Sequence, residues 1–422
     1  NKNVIPYDLT FIVQRGHLLG LKNPDEANEE YKEWNWENLP ITEKTLGGWP
    51  YEVKEEKRVG HFKTSQERFE DIKNEINSGD YDFIVHIGDP DREGQLLVDL
   101  VLEKIGTNLP VMRYWQNALT DEKVLKTLLN LRSNDEDFFQ NILSAGKGRQ
   151  HADYIVGMNL SRAATMKMGS RVSVGRVRTV VLSLVCRREL EILNFKPETM
   201  YGVQAKYVEG FNGTLFNSSE AKDSVSESDE SDEADDSVQT GTIWFKTEEE
   251  AKKFINDTSR KGVITHQQSK RTESYSPSFY KLSTIQKEAG DKYGYNAEKT
   301  KDIIQSLYEA KLTTYPRTNC EYIDSTETLD VYLKSVSDVP NFRPFLEKIT
   351  PTDIERVRNT KKWVNDAKVK DSGHTAIIPT SEKVDFSKLS VEQKNIYEMI
   401  AKRYVAAFLP PLIQNKVDMV VT

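Results

Sequence analysis

Cysteine is nearly absent from this chain of 422 residues: Cys186 and Cys320 are the two, and they stand far apart. Their scarcity excludes a disulfide framework and any cysteine-built zinc cluster, and it suits a reducing cytoplasm. Long apolar runs are missing too, since none approaches the roughly 18 residues of a membrane span. Asn1 to Thr10 lacks a basic stretch followed by an apolar one, so nothing there reads as a signal peptide. The chain also has no basic excess: 58 Lys and Arg stand against 66 Asp and Glu, a net charge of −8. Taken alone, that balance argues against a nucleic-acid partner. What is present is length for roughly two to four domains with real cores.

The distribution of charge changes its meaning. Residues 220–236, EAKDSVSESDESDEADD, hold nine acids and one lysine, so this stretch carries the whole −8 and the remaining chain is neutral. With no aromatic residue, it cannot bury enough apolar surface to offset the entropy of ordering; it reads as a solvated insert, either a tolerated loop expansion or an acidic interaction segment. Upstream, Ser144 to Arg188 carries nine basic residues against the single acid Asp153, and seven of the nine are arginine. Arginine suits bidentate phosphate contact, and Ser170, Ser173 and Gly175 are small enough to let a backbone come close. A solvated basic face is the plainer reading of the same run.

The patterning predicts α/β structure over 1–135. Phe83 to Ile87 is an apolar run ending at Gly88, as a buried strand would, and Leu96, Leu97, Leu100 and Val101 follow at helical spacing. Residues 136–195 read as helical, ending in the apolar run Val180–Cys186, and strand-like pieces at Tyr201–Tyr207 and Gly241–Phe245 flank the acidic insert. Helix returns over 276–405, where Asn296 suits an N-cap ahead of Ile303, Ile304, Leu307 and Tyr308; Asn415–Thr422 reads as a strand. There is no internal repeat.

Two segments carry candidate chemistry. Gly88-Asp89-Pro90-Asp91-Arg92-Glu93-Gly94 joins the predicted strand to the predicted helix. Carboxylates at alternate positions on the C-terminal edge of a strand are expected to converge on one hard cation such as Mg²⁺; an acidic helix N-terminus favoured by the macrodipole is the competing account. In Lys311-Leu312-Thr313-Thr314-Tyr315-Pro316-Arg317-Thr318, Pro316 pushes Tyr315 toward extended backbone, which points Tyr315 and Arg317 to the same side. A phenol is a weak nucleophile at neutral pH, and a neighbouring guanidinium is expected to favour the phenolate and grip a phosphate.

These segments, with others, resemble the type IA DNA topoisomerases, specifically the topoisomerase III branch. His86 to Val98, HIGDPDREGQLLV, resembles the acidic motif of its TOPRIM domain, and Arg15-Gly16-His17-Leu18-Leu19 its early Gly-His-Leu segment. Tyr31 to Pro40 looks like a tryptophan-containing DNA contact, while Ala152 to Arg162 and Ser173 to Arg178 look like two DNA-contacting motifs of the adjoining helical domain. The tyrosine segment resembles the catalytic signature, and His374-Thr375-Ala376-Ile377-Ile378-Pro379-Thr380 a segment whose histidine lies near the scissile phosphate.

The resemblance implies a multidomain α/β plus α fold: a TOPRIM α/β domain, helical DNA-binding domains and a β-rich arch that together form a toroid. The implied divisions are 1–135 for TOPRIM, 136–195 for a helical DNA-binding domain, 196–275 for the arch with its insert at 220–236, 276–405 for the tyrosine-bearing domain, and 406–422 for a return into the arch. It implies a strand-passage enzyme, ATP-independent, that cleaves and reseals one DNA strand through a 5′-phosphotyrosine link, relaxing or decatenating. Tyr315 would be the nucleophile, Arg317 and His374 its phosphate partners, Glu93 a further catalytic group, and Asp89, Asp91 and Glu93 the Mg²⁺ ligands. DNA would lie along Arg149, Arg162, Ser173, Val174, Gly175, Arg176, Val177 and Arg178, with Trp34 and Tyr154 stacking on bases. Single-stranded and negatively supercoiled DNA would be the substrates, a helicase a partner, a membrane none, and the bacterial cytoplasm (nucleoid or plasmid) the location.

The chain departs from the pattern in places. The Glu-Lys-Pro-Ser motif of the family's first TOPRIM strand is not recognisable, which leads to the expectation that the sequence starts inside that domain and stops before the family's further DNA-binding gate. Arg178 stands where the family commonly has glutamine, and Val180 where it often has proline. The missing glutamate and lysine motivate a rival reading, a DNA-binding fragment without turnover. A TOPRIM nuclease or primase, sharing only the acidic cluster, is a third, and it leaves the Tyr315 segment unexplained.

Overall fold

In the computed structural model, residues 6–14, 16–55, 63–217 and 242–422 are described. The acidic stretch 220–236, Arg15 and Gly241 lie outside them. The chain divides into two compact units. One comprises Asn1–Cys186 and Ser278–Leu409, the other Arg187–Pro277 and Pro410–Thr422.

The first unit holds a strand–helix–strand crossover. Strand Ile84–His86 pairs in parallel with Val111–Arg113, which pairs antiparallel with Arg132–Ser133. The connecting helix, Arg92–Ile105, starts where Asp91 Oδ1 accepts the Gly94 N–H at 2.7 Å, an N-cap contact. Its Leu96 and Leu100 pack with Leu143 of the long helix Asp137–Met168, while Val101 joins Leu18, Leu19, Phe69 and Ile72. The two helices approach closely at Gly146, where a Cβ would sit 3.1 Å from Arg92 O and 3.3 Å from Leu96 Cβ.

The same unit's later half is mainly helical. Asn296 caps helix Ala297–Glu309 by accepting the Lys299 N–H at 2.8 Å. Ile304, Leu307 and Tyr308 are buried from that helix, and Ile396, Tyr397, Tyr404 and Phe408 from helix Val391–Phe408. Lys311, at φ 65, turns the chain out of the Ala297 helix and into the Leu312–Tyr315 segment.

Among its described residues the second unit holds strand pairs, the end of helix Arg178–Leu193 and a further helix. Ile264–Ser274 runs antiparallel to Leu412–Val421, with an irregularity between Ile264 and His266. Tyr201–Gly202 pairs with Trp244–Phe245, and Gln204–Lys206 with Asn212–Thr214. Helix Glu248–Asp257 begins in a capping box between Thr247 and Glu250. Mixed α and β content therefore holds, and among the described residues no helix is long and apolar enough to cross a membrane.

Candidate active site

Tyr315 is held from both neighbouring segments. The chain at Leu312–Tyr315 runs beside 376–380: Thr314 N donates to Ile378 O at 3.0 Å, and Thr380 N to Leu312 O at 3.1 Å. The Thr314 hydroxyl completes the join, donating to Ala376 O at 2.7 Å and accepting the Ile378 N–H at 3.0 Å. Thus the tyrosine and histidine motifs, far apart in sequence, become neighbours. The His374 ring lies near-parallel to that of Tyr315, 5.3 Å between centroids at 24°.

The tyrosine ring is 1% exposed, and its hydroxyl donates to Asp91 Oδ2 at 2.7 Å. Arg317 Nη1 lies 3.7 Å from Asp91 and 3.9 Å from Asp89, so the side chains at 315 and 317 do reach one carboxylate in common, that of Asp91. The guanidinium does favour the phenolate, as expected, but it is outweighed. Burial is the largest influence and Asp91 the next, and together they push the Tyr315 hydroxyl far above its ordinary range; Arg317 opposes them only in part. The phenol is held protonated, with its proton already directed at Asp91.

The acidic loop is shaped by a buried arginine. Arg113, 1% exposed, donates through Nε to Gln95 Oε1 at 2.8 Å, through Nη1 to His86 O at 3.0 Å and through Nη2 to Asp89 O at 2.9 Å. Gln95 in turn donates to Asp99 at 2.8 Å and Asn134 at 2.7 Å, so the loop rests on a connected polar network. Gly94 is required sterically, because a Cβ there would lie 2.3 Å from Asp89 O and 2.5 Å from Asp89 N. Burial, then the neighbouring Asp91 charge, raises the Asp89 carboxyl above its usual value, against the pull of Arg317 and Arg113. Burial likewise lowers His374 to about 4, with Asp91 opposing, so its imidazole is neutral near pH 7.

The expected convergence of three carboxylates does not occur. Among the described residues no group of three or more His, Cys, Asp and Glu is arranged to hold a metal. Asp89 and Asp91 face Arg317, whereas Glu93 lies 3.4 Å from His17 and 3.7 Å from Arg149. The reason is local. Helix begins at Arg92, and its turn of about 100° per residue carries Glu93 off the alternating register of the preceding loop.

Two expected DNA contacts are also corrected. Tyr154 is buried with Tyr31 and Ile41, and its hydroxyl donates to Lys22 O at 2.9 Å, so its ring has no face free for a base. Arg162, 3% exposed, donates to Tyr31 O at 2.8 Å and lies 3.7 Å from Asp25, which leaves it structural rather than phosphate-facing. Its guanidinium supports Trp34, 5.0 Å from the ring centroid, while Trp34 itself stays 41% exposed.

The remaining candidates form a surface strip. Arg149 lies 3.9 Å from Asp153, which accepts from Arg176 Nε at 2.7 Å. Val174 exchanges hydrogen bonds with Ser161, its N–H donating to Oγ at 2.9 Å and its carbonyl accepting at 3.2 Å. Gly175 N–H donates to Thr179 Oγ1 at 3.0 Å. Ser173, Val177 and Arg178 are exposed.

The comparisons with known proteins fall on this architecture. A family model described as DNA topoisomerase matches residues 137–422. The chain belongs to the DNA topoisomerase family. It is of the type IA, topoisomerase III-like kind: proteins named DNA topoisomerase 3 from Bacillus subtilis and Bacillus cereus are each 30% identical to it over 396 and 399 residues, 94% of this chain and 49% of theirs. The chain thus spans about half the length of the curated relatives it matches. The full-length topoisomerase I of Thermotoga maritima shares the fold, with a TM-score of 0.61 at 21% identity over 96% of this chain and 58% of that one.

Sequence reading did not single out Arg113, Trp115 or Asn117. Arg113 ends the second parallel strand and Trp115 and Asn117 follow it, at the C-terminal edge where α/β sheets bind ligands, and that rule was the available signal.

Proposed function

We propose that this chain cleaves and reseals one strand of DNA through a 5′-phosphotyrosine link at Tyr315, without ATP. One observation carries the reading: the Tyr315 hydroxyl donates to Asp91 at 2.7 Å while Arg317 stands against both Asp89 and Asp91. A nucleophile, a proton acceptor and a cation for phosphate, drawn from segments 224 residues apart, meet at one point. In cleavage the phenolic oxygen bonds to phosphorus, the P–O3′ bond breaks, the phenolic proton passes to Asp91 and the departing 3′ oxygen takes a proton from water. One phosphodiester replaces another, so resealing needs no outside energy source.

Arg317 and neutral His374 flank the phosphate, and the arginine balances charge that builds on it. Asp89 and Asp91 fit Mg²⁺, which takes one or two carboxylates and completes its shell with water and phosphate; when bound it would add positive charge against the phosphate oxygens. Glu93 is separate from that pair and, through His17 and Arg149, borders the basic strip instead. Unpaired DNA would follow Arg149, Arg176, Gly175 and Arg178, with exposed Trp34 as a stacking platform. Single-stranded and negatively supercoiled DNA offer such strands, as does DNA opened by a helicase. The finer division into a TOPRIM domain, helical domains and an arch of a toroid belongs to this reading.

The test is adduct formation on a labelled single-stranded oligonucleotide with Mg²⁺. Tyr315→Phe is expected to abolish the denaturant-resistant protein–DNA band while strand binding persists. An adduct that survives in this variant overturns the assignment, and wild-type binding without any adduct supports the turnover-lacking alternative.

A further inference from the structure

Asn117 touches both partners of the proposed chemistry from a segment assigned no role there. It lies in the loop between strand Val111–Arg113 and helix Asp121–Leu128. Its backbone carbonyl accepts the Tyr315 N–H at 2.8 Å, and its side-chain Oδ1 stands 3.0 Å from His374 Nδ1. The residue is itself tied down: Asn117 N–H donates to Gln116 Oε1 at 2.8 Å, and Gln116 Nε2 to Thr127 Oγ1 at 2.9 Å. Trp115, from the same loop, donates its indole N–H to Gly373 O at 3.2 Å, and its ring lies near-parallel to the imidazole at 6.1 Å. One loop therefore grips the nucleophile's backbone, the histidine's ring nitrogen and the residue before that histidine.

An amide oxygen accepts hydrogen bonds and never donates them, so a neutral imidazole facing it carries its proton on Nδ1. The lone pair then sits on Nε2, the opposite edge of the ring. We propose that Asn117 is a positioning residue that locks His374 in the Nδ1–H tautomer and, through its carbonyl, sets the depth of Tyr315. With Nδ1 held in this way, Nε2 is the atom that can receive a proton from a hydroxyl or, once protonated, donate to a phosphate oxygen. The amide oxygen accepts from Nδ1–H in either charge state, so the ring keeps its orientation as its charge changes. Partners of this kind, which orient a functional histidine through its other nitrogen, carry about 10- to 100-fold in activity at metal sites.

The assignment rests on the Tyr315 reading, and its test keeps the two separable. The full chain, labelled with ¹⁵N-histidine, is observed by long-range ¹H–¹⁵N spectroscopy, and His374 is identified by its loss in His374→Asn. Wild type is expected to show Nδ1 protonated. Asn117→Leu is expected to shift His374 toward the Nε2–H tautomer and to slow adduct formation about 10-fold or more, whereas Asn117→Asp, which keeps an accepting oxygen, restores the Nδ1–H form and most of the rate. If the leucine variant does not fold, Asn117→Ser, too short to reach the ring, serves in its place. A His374 that stays Nδ1-protonated without the acceptor, or an unchanged adduct rate in Asn117→Leu, overturns the proposal. A wild type that forms no adduct defeats the strand-cleavage reading at Tyr315 instead, and the tautomer then decides Asn117 alone.

Discussion

Replacing Lys123 with methionine removes one partner of a buried ion pair that ties helix Asp121–Leu128 to the turn ahead of helix Leu329–Ser335. Lys123 Nζ donates to both Glu327 carboxylate oxygens at 2.8 Å; Glu327 is 6% exposed and Lys123 26%. The Tyr332 hydroxyl also donates to Glu327, and the ammonium lies 5.7 Å from the Tyr332 ring centroid. Burial alone would lower the Lys123 amine, but Glu327 and then Tyr332 outweigh it and raise it to about 12. Breaking a buried pair from one side costs about 3–5 kcal/mol, and the partial exposure of Lys123 puts this one near the lower end, about 3 kcal/mol. Glu327→Leu is expected to cost less, because the freed ammonium can turn to water. The double variant, which leaves neither charge stranded, is expected within about 1 kcal/mol of wild type, for a coupling of about 2 kcal/mol or more. Urea titrations of the four proteins measure this on the transition that includes the first unit, as midpoint shifts at constant slope. A Lys123→Met variant as stable as wild type, or a double variant worse than either single one, refutes the reasoning.

Acid should unsettle the crossover beneath the acidic loop. His86 is buried, and burial first, then the Arg113 charge, lowers it from 6.5 to about 3. A depressed histidine contributes stability that is present above the unfolded value near 6.5 and is lost as pH falls toward the folded value. The loss at pH 5 is about 2 kcal/mol, and in His86→Leu the difference between unfolding at pH 7 and pH 5 should shrink by that amount; an unchanged difference contradicts it. Gly94→Ala forces the Asp89 backbone aside, since the added Cβ would meet it at 2.3 Å. A displacement of that size at the reacting groups is expected to cut adduct formation about 100-fold with strand binding intact, and a near-wild-type rate would show that the loop is not held as described.

Much was legible in the sequence. The apolar run before Gly88 and the helical spacing after it gave the strand and helix at Ile84–His86 and Arg92–Ile105, because burial on one face imposes period 2 or 3.6 on any chain. Asn296 was readable as a cap, since a short polar side chain at that place answers an unpaired N–H. Pro316 and the alternation of an extended segment put Tyr315 and Arg317 on one side, and the structure carries both to Asp91. These are local rules, and nearby residues suffice to state them.

Tertiary structure decided the rest. Whether an arginine faces DNA or the interior depends on what packs over it, so Arg162 turned inward to Tyr31 and Asp25 while Arg178 stayed exposed. The charge of a phenol depends on its surroundings: a guanidinium two residues away was visible in the sequence, but the burial and the Asp91 contact that outweigh it come from elsewhere in the chain. Asn117 carried no signal of its own, since an amide acquires a role only when folding places an imidazole 3.0 Å away. Sequence by itself determined the family, the local elements and the nucleophile candidate, because those reside in residue order. Which groups are buried, paired and aimed at one another was set by long-range packing, because desolvation and hydrogen-bond geometry exist only once distant segments meet.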